Sequence, residues 1–276
     1  MTNPFSLEGK TILVTGAASG IGRATALQCA GLGAHTILWD IQKEGLHQVA
    51  AECGDNDCVV VVQDLTDYDK VADVVSQLPK IDGIASNAGI VKSLLARFNE
   101  IEDMEKIFNV NTFSHMNLIQ QLLVQKKFNK GASIVFTSSM SGVFCGLPGG
   151  SLYGASKSAL AGYSKALALE LAPRGIRVNT VHPGMVATPL TNGTALSEDV
   201  LDDDARNNYP LGRYGKPEEI ASAIVYLLSE GWRYLLYVSA VSRRMFLAIP
   251  AAMSPFAIAI PYTQPEHPKL KSNAPA

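Results

Sequence analysis

The chain has 276 residues, 47% hydrophobic and 17% charged, with 23 Lys/Arg against 25 Asp/Glu and a formal net charge of −2. That length suits one large domain or two modest ones with a sizeable core, and the near-neutral balance argues against a protein held chiefly by phosphate backbones, so no nucleic-acid partner is expected. The average conceals a break: the first 230 residues carry 18 Lys/Arg against 24 Asp/Glu, while the last 46 carry five against one, six of the 14 prolines and one of the 23 glycines.

Met1 to Lys10 shows no basic segment followed by an apolar run, so a cytoplasmic chain is expected. Cys29, Cys53, Cys58 and Cys145 form no C-x-x-C pair or His/Cys cluster and are expected as reduced, mostly buried thiols, with no metal site. In chain order, the first strand is Thr11 to Thr15, followed by Gly16-Ala17-Ala18-Ser19-Gly20-Ile21-Gly22 and a helix over Ile21 to Leu32. Gly16 suits a tight turn, Gly20 admits a pyrophosphate to the backbone and Gly22 lets helix and strand approach; the opening N–H groups around Ser19 and Ile21 favour an anion.

The second strand, Thr36 to Asp40, ends in a carboxylate that can accept bonds from adenosine ribose hydroxyls and repel a 2′-phosphate. Ile41 follows it, and no Lys or Arg stands at 17 to 19, so NAD is expected over NADP. A third strand, Val59 to Asp64, leads to Asp64-Leu65; a helix over Val71 to Leu78 and a fourth strand, Gly83 to Asn87, lead to Asn87-Ala88-Gly89. A long helix over Met104 to Lys126 contains Asn109-Val110-Asn111, and a fifth strand, Ser133 to Ser138, precedes Ser139. A helix over Gly154 to Leu171 follows, then a sixth strand, Arg177 to His182, and Pro183-Gly184-Met185-Val186-Ala187-Thr188. Apolar strands alternating with amphipathic helices imply an α/β fold: one Rossmann-type doubly wound parallel sheet with helices on both faces. Ligands of such sheets bind at the carboxyl ends of the strands, where these motifs lie.

Tyr153 and Lys157 are four residues apart, one turn along one helix face. A neighbouring cation stabilises phenolate and is expected to lower the tyrosine pKa, so that Tyr153 can exchange a proton with a substrate oxygen while hydride moves to or from nicotinamide. Ser138 or Ser139 can donate a hydrogen bond to the same oxygen. Thr15-Gly-x-x-x-Gly20-x-Gly22, Asn87-Ala-Gly89, Asn109-Val-Asn111, the strand-end serines, Tyr153-x-x-x-Lys157 and Pro183-Gly184-x-Val186-x-Thr188 together resemble the short-chain dehydrogenase/reductase family over residues 7 to about 230. The resemblance, nearest to the 3-oxoacyl-acyl carrier protein reductases, implies that Asn111 holds a water in a proton relay. It further implies that Ser139, Tyr153 and Lys157 carry the chemistry, with Ser141 as the alternative serine. In the same way Lys157 would bind the nicotinamide ribose, and Val186 to Thr188 the carboxamide.

The resemblance implies one NAD-binding domain over 1–230, with a mobile substrate lid at about 188–216, and a homodimer or homotetramer joined through the helices near 104–126 and 154–171. The substrate would be a small carbonyl compound or secondary alcohol: a 3-oxoacyl thioester, a sugar or a steroid. Lys126, Lys127, Lys130 and Arg174 are similar to positions that dock acyl carrier protein, although Asp40 fits NADPH poorly. From Gly231 the family's last strand and Asp-Gly-Gly close are missing, so the last strand is in doubt and 231–276 is an atypical tail. The tail is read as a shift of the coding frame near Gly231, ahead of a natural divergent tail or a membrane span over 245–265, which three prolines disfavour. Leu235 to Val241 is the candidate replacement strand. The alternative function is a dinucleotide-binding protein without turnover.

Overall fold

In a computed structural model, residues 3–54, 58–192, 198–209, 211–230 and 239–241 are described. Seven parallel strands, β1 (Thr11–Thr15), β2 (His35–Asp40), β3 (Cys58–Val62), β4 (Ile81–Ser86), β5 (Phe128–Thr137), β6 (Arg177–His182) and β7 (Ser239–Val241), form one sheet in the order β3-β2-β1-β4-β5-β6-β7. The winding reverses between β1 and β4, which opens a crevice at their carboxyl ends.

The strands' two-residue period supplies both faces of the sheet. Leu13, Ile37, Ile84, Ile134, Phe136 and Val178 join one core with Val71 and Val75 of α3 (Tyr68–Gln77), Leu118 and Leu122 of α5 (Ser114–Val124), and Leu160 of α7 (Ser151–Leu171). Ile12, Val14, Leu38, Ala85, Val135 and Val181 join the other, with Ala26 of α1 (Gly20–Gly31), Leu46 of α2 (Lys43–Glu52) and Ile224 of α10 (Pro217–Leu228). Both faces are therefore covered, as the apolar strands require, and two short helices, α6 (Met140–Val143) and α8 (Pro189–Asn192), follow β5 and β6.

Two elements differ from the sequence expectation. The helix expected over 104–126 is three pieces: α4 (Ile101–Phe108), a π-helical turn over Asn109–Phe113, and α5. The π turn admits one extra residue without breaking the apolar pattern, so periodicity does not reveal it. Strand β5 starts at Phe128 instead of Ser133, because its register against β4 shifts between the Ile81 and Gly83 pairings and hides the first half behind polar residues.

Three residues of the tail, Ser239–Val241, pair with Thr180, Val181 and His182, so a seventh strand stands where the last one was in doubt and where the run to Val241 was the candidate. The other expectations attached to 231–276, a shifted frame or a membrane run, lie outside the described residues. No helix among the described residues is long and apolar enough to cross a membrane.

Arg177, at the start of β6, is buried and donates to the carbonyls of Leu227 (2.7 Å), Leu228 (3.3 Å) and Ser229 (2.9 Å) at the end of α10. It satisfies carbonyls that the helix leaves open and sets a positive charge against the negative end of the helix dipole. Replacing it by leucine should leave those carbonyls buried and unpaired. We expect Arg177→Leu to lose about 2–4 kcal/mol in urea unfolding, with far-UV dichroism of the folded state unchanged.

Candidate active site

The site is built where the turns after β1 and β4 touch. Gly16 has φ +65°, and a Cβ on it would lie 2.9 Å from Ala88 Cα; a Cβ on Gly22 would lie 2.0 Å from the Gly16 oxygen. No larger residue fits either place without moving backbone. Thr15 Oγ1 then accepts from the N–H groups of Asn87 (2.9 Å) and Ala88 (3.2 Å), joining the two turns. Ser19 is the N-cap of α1 but makes no side-chain cap, and no acidic residue lies in the first turn, so the N–H groups there could receive an anion. Gly20 faces Thr188: a Cβ would stand 3.2 Å from Thr188 Cγ2, which brings Pro183-Gly184 to Thr188 across from the glycine turn.

Asp40 is held at both oxygens, Oδ2 by the Ala18 N–H (3.1 Å) and Oδ1 by the Gln42 N–H (3.0 Å), and Ile41 beside it is exposed. Its carboxylate is thus fixed against the glycine turn. Asp64 Oδ1 accepts from Thr66 N–H and Oγ1 (both 2.8 Å), while Leu65 is buried. A cavity of about 340 Å³ opens beside them, lined by Asp64, Thr66, Tyr68, Lys106, Asn109 and Val110. Tyr68 and Lys106 were not anticipated from sequence.

At the end of β5 the serines separate by what they bond. Ser138 Oγ donates to the Lys157 carbonyl (2.8 Å), a packing role, whereas the Ser139 side chain lies close enough to the Tyr153 phenol to favour its charged form. Ser139 Oγ also accepts from the Ser141 N–H (3.1 Å), which leaves its own proton for the phenol or for a substrate oxygen. Ser141 therefore supports Ser139 through its backbone. Lys157 is buried, with Nζ donating to the Thr137 carbonyl (2.9 Å). A Cβ on Gly89 would lie 3.1 Å from Lys157 Nζ and 3.2 Å from Asn111 Oδ1, so the three meet at one point.

Asn111, in the π turn, is fully buried. Its Oδ1 accepts from the Ile90 N–H (2.8 Å), and its Nδ2 donates to the Ile90 carbonyl (2.9 Å) and to Ser156 Oγ (3.1 Å). The side chain is committed to protein partners, so a relayed water would have to be held by other atoms of this turn.

The expectation of a lowered tyrosine pKa is not met. Burial pushes Tyr153 above its usual value, and Ser139 opposes this only in part. Spacing shows that Lys157 is near, but it does not show how much water the phenol has lost or that the ammonium bonds Thr137. Burial likewise brings Lys157 down to about 8.

Two buried histidines escaped the sequence reading. His115, on α5, contacts the Ala88 carbonyl and Ser86; His182, ending β6, contacts the Ser139 carbonyl through Nδ1 (3.3 Å) and Thr180 Oγ1 through Nε2 (2.8 Å). A single histidine on an apolar face carries no spacing signal, so each passes for core. In the expected lid, Tyr209 follows α9 (Glu198–Asn208) and its Oη accepts from the Met185 N–H (3.3 Å), while Tyr214 Oη donates to Asp204 (2.8 Å). Tyr209 thereby ties the end of α9 to the Pro183–Thr188 run at the mouth of the site. Of the expected docking lysines, Lys127 instead donates to the Ser76 (2.8 Å) and Leu78 (2.6 Å) carbonyls at the end of α3. Among the described residues no metal-binding cluster occurs.

A family model described as Enoyl-(Acyl carrier protein) reductase matches residues 16–236. The 3-oxoacyl-[acyl-carrier-protein] reductase FabG of Thermotoga maritima is 41% identical over 238 residues, covering 83% of this chain and 94% of that protein. The enzyme of the same name from Staphylococcus epidermidis is 33% identical, with 82% and 94% covered. Among solved structures, a dehydrogenase/reductase from Sinorhizobium meliloti superposes with a TM-score of 0.78 at 30% identity, with 86% of this chain and 94% of that one covered. A Beutenbergia cavernae protein described as an NAD(P)-dependent gluconate 5-dehydrogenase with bound NADP gives 0.77 at 32% identity, with 86% and 97% covered.

Burial holds His115 down to about 3 and His182 to about 4, against 6.5 when solvated. The unfolded chain therefore takes up these protons first, and the stability due to the neutral rings is complete above pH 6.5 and lost as pH falls toward 4. The slope is at most about 1.4 kcal/mol per pH unit for each ring. Urea midpoints measured between pH 7 and 4.5 should fall for the parent and fall less steeply for His182→Asn; equal slopes would remove His182 from this balance.

Proposed function

The chain belongs to the short-chain dehydrogenase/reductase family and is a nicotinamide-dependent oxidoreductase acting on CH–OH or carbonyl groups; we propose that Tyr153 is its general acid/base, assisted by Ser139, Lys157 and Asn111. The observation that carries this reading is the convergence of the buried Lys157 Nζ with Gly89 and Asn111 Oδ1, one helical turn from Tyr153, whose phenol Ser139 acts on. In the reducing direction, the bound nicotinamide supplies hydride to the carbonyl carbon. Tyr153 gives its phenolic proton to the carbonyl oxygen, and Ser139 Oγ–H holds that oxygen as charge grows on it. The Lys157 charge is what offsets the cost of a buried phenolate after the proton has left. Asn111 keeps the Ile90 backbone and Ser156 in place beneath Lys157, and a water held near this turn returns a proton to Tyr153.

The dinucleotide would lie along Gly16, Ser19, Gly20, Ile21 and Gly22, then Asp64, Leu65, Asn87, Ala88 and Gly89, and reach Pro183, Gly184, Val186 and Thr188. The cradle fits a pyrophosphate because a Cβ at Gly22 would meet backbone and the first turn of α1 offers free N–H groups. NAD is the proposed cofactor. Asp40, fixed by Ala18 and Gln42, would bond the adenosine ribose and repel a 2′-phosphate, and no Lys or Arg at 17 to 19 or 41 could neutralise one. The relatives' names favour a 3-oxoacyl thioester as the first substrate to test, with sugar acids next. A homodimer or homotetramer in the cytoplasm, with acyl carrier protein as a partner, completes the reading; Lys126, Lys130 and Arg174 would bear that contact without Lys127.

Tyr153→Phe should abolish NADH oxidation in the presence of a 3-oxoacyl thioester while leaving NADH binding, read by nucleotide fluorescence, within about two-fold. Retained turnover would remove Tyr153 from the chemistry. Asp40→Asn keeps acceptor capacity for the glycine turn but removes the charge, and should shift the ratio of kcat/KM toward NADPH by about ten-fold or more. A parent chain that already prefers NADPH would overturn the role given to Asp40.

A further inference from the structure

The strip from Asn87 to Ile90 runs along the face where the dinucleotide is proposed to lie, and both its ends are pinned. Thr15 holds the N–H groups of Asn87 and Ala88, and the Asn111 amide takes both the N–H and the carbonyl of Ile90. Between these pins is the Ala88 carbonyl, and its partner is His115 Nε2 at 2.8 Å. His115 lies four residues after Asn111, one turn along, and has no solvent exposure. A carbonyl can only accept, so Nε2 carries the proton. The neutral ring then presents a lone pair at Nδ1, and Ser86 Oγ, which contacts Nδ1, donates to it.

The ring is therefore a strut from the end of β4 to the middle of the strip. Its neighbours on the same helix, Leu118, Ile119 and Leu122, are all apolar and buried. A leucine at 115 would cost less desolvation than an imidazole, so a polar ring there needs the two bonds to justify it. Burial and the nearby Lys157 ammonium keep the ring neutral, so it is not a proton carrier at ordinary pH.

We propose that His115 is a positioning residue for the dinucleotide: by fixing the Ala88 carbonyl it sets Gly89 against Lys157 Nζ and Asn111 Oδ1, and with it the surface the dinucleotide crosses. This rests on the dinucleotide reading above. Loss of the strut lets the peptide between Ala88 and Gly89 turn and lowers affinity for the cofactor, while Ser139 and Tyr153, held from β5 and α7, keep their geometry.

Two amides separate the arms of the strut. His115→Asn can still meet Ser86 but is too short for Ala88; His115→Gln reaches Ala88 and keeps a donor there. NADH titrations followed by nucleotide fluorescence, KM for NADH with kcat, and melting temperature are to be measured on both and on the parent. We expect His115→Asn to weaken NADH binding and raise its KM by about ten-fold with kcat within about two-fold, and His115→Gln to stay within about three-fold of the parent throughout. Equal NADH affinity in the two variants, or losses that follow melting temperature alone, would overturn the inference. Should neither variant fold, Ser86→Ala, which frees the ring to rotate, is expected to weaken NADH several-fold, and unchanged affinity would count against the strut. A parent chain that binds neither NADH nor NADPH would overturn the dinucleotide reading itself, and this inference with it; one that binds only NADPH is titrated with NADPH under the same expectations.

Discussion

The structure depends on one close approach. The turn after β1 lies against the turn after β4 with no room for a side chain between them, since a Cβ on Gly16 would fall 2.9 Å from Ala88 Cα and one on Gly22 would fall 2.8 Å from Asn87 Nδ2. Because the sheet winds outward in both directions from β1 and β4, this contact is where two halves of the fold meet. Thr15 converts the contact into two hydrogen bonds. From it follow the direction of α1, the height of the Asn87–Gly89 strip and the distance from that strip to Lys157.

On the far side of that strip, the polar side chains are satisfied chiefly by backbone carbonyls. Asn111, Ser156, Thr112 and Lys157 bond to backbone or to each other, so the site is stiff before any ligand arrives. A network of this kind is costly if incomplete, because an unpaired buried polar group pays its full desolvation. Burial also explains why proximity of Lys157 does not make Tyr153 acidic in this state. Desolvation disfavours both the phenolate and the ammonium, raising one pKa and lowering the other. The two charges favour each other only when they are formed together, which is what a proton leaving Tyr153 in the reaction requires.

Much of the site was legible in the sequence because its constraints are steric or chemical and fall at fixed spacings. Gly16, Gly20 and Gly22, Asp40 at the end of a strand, and Tyr153 with Lys157 on one helix face all carry their reason in their position. The resemblance singles out Ser139, with Ser141 as the alternative, where spacing alone does not, since three neighbouring serines differ only in where the backbone aims them. The π turn was invisible because an inserted residue preserves the apolar face on either side of Asn109–Phe113. His115, His182 and Arg177 were missed for a common reason. Each bonds main-chain carbonyls distant in sequence, and a carbonyl leaves no mark on residue identity.

The short seventh strand bears on the same site. Strand β6 is buried along its whole length, and an unpaired edge of that kind invites association with another chain. Among the described residues, β7 pairs with Thr180, Val181 and His182, the carboxyl-terminal half of β6. That is the half that supports the proposed chemistry: Thr180 bonds the His182 ring, the ring contacts the Ser139 carbonyl, and the Ser139 side chain acts on the Tyr153 phenol. The amino-terminal half is secured differently, by Arg177 reaching the end of α10. A three-residue strand placed at this end therefore does what the fold most needs there, because it protects the ladder at the point where a shift of β6 would be transmitted to Ser139.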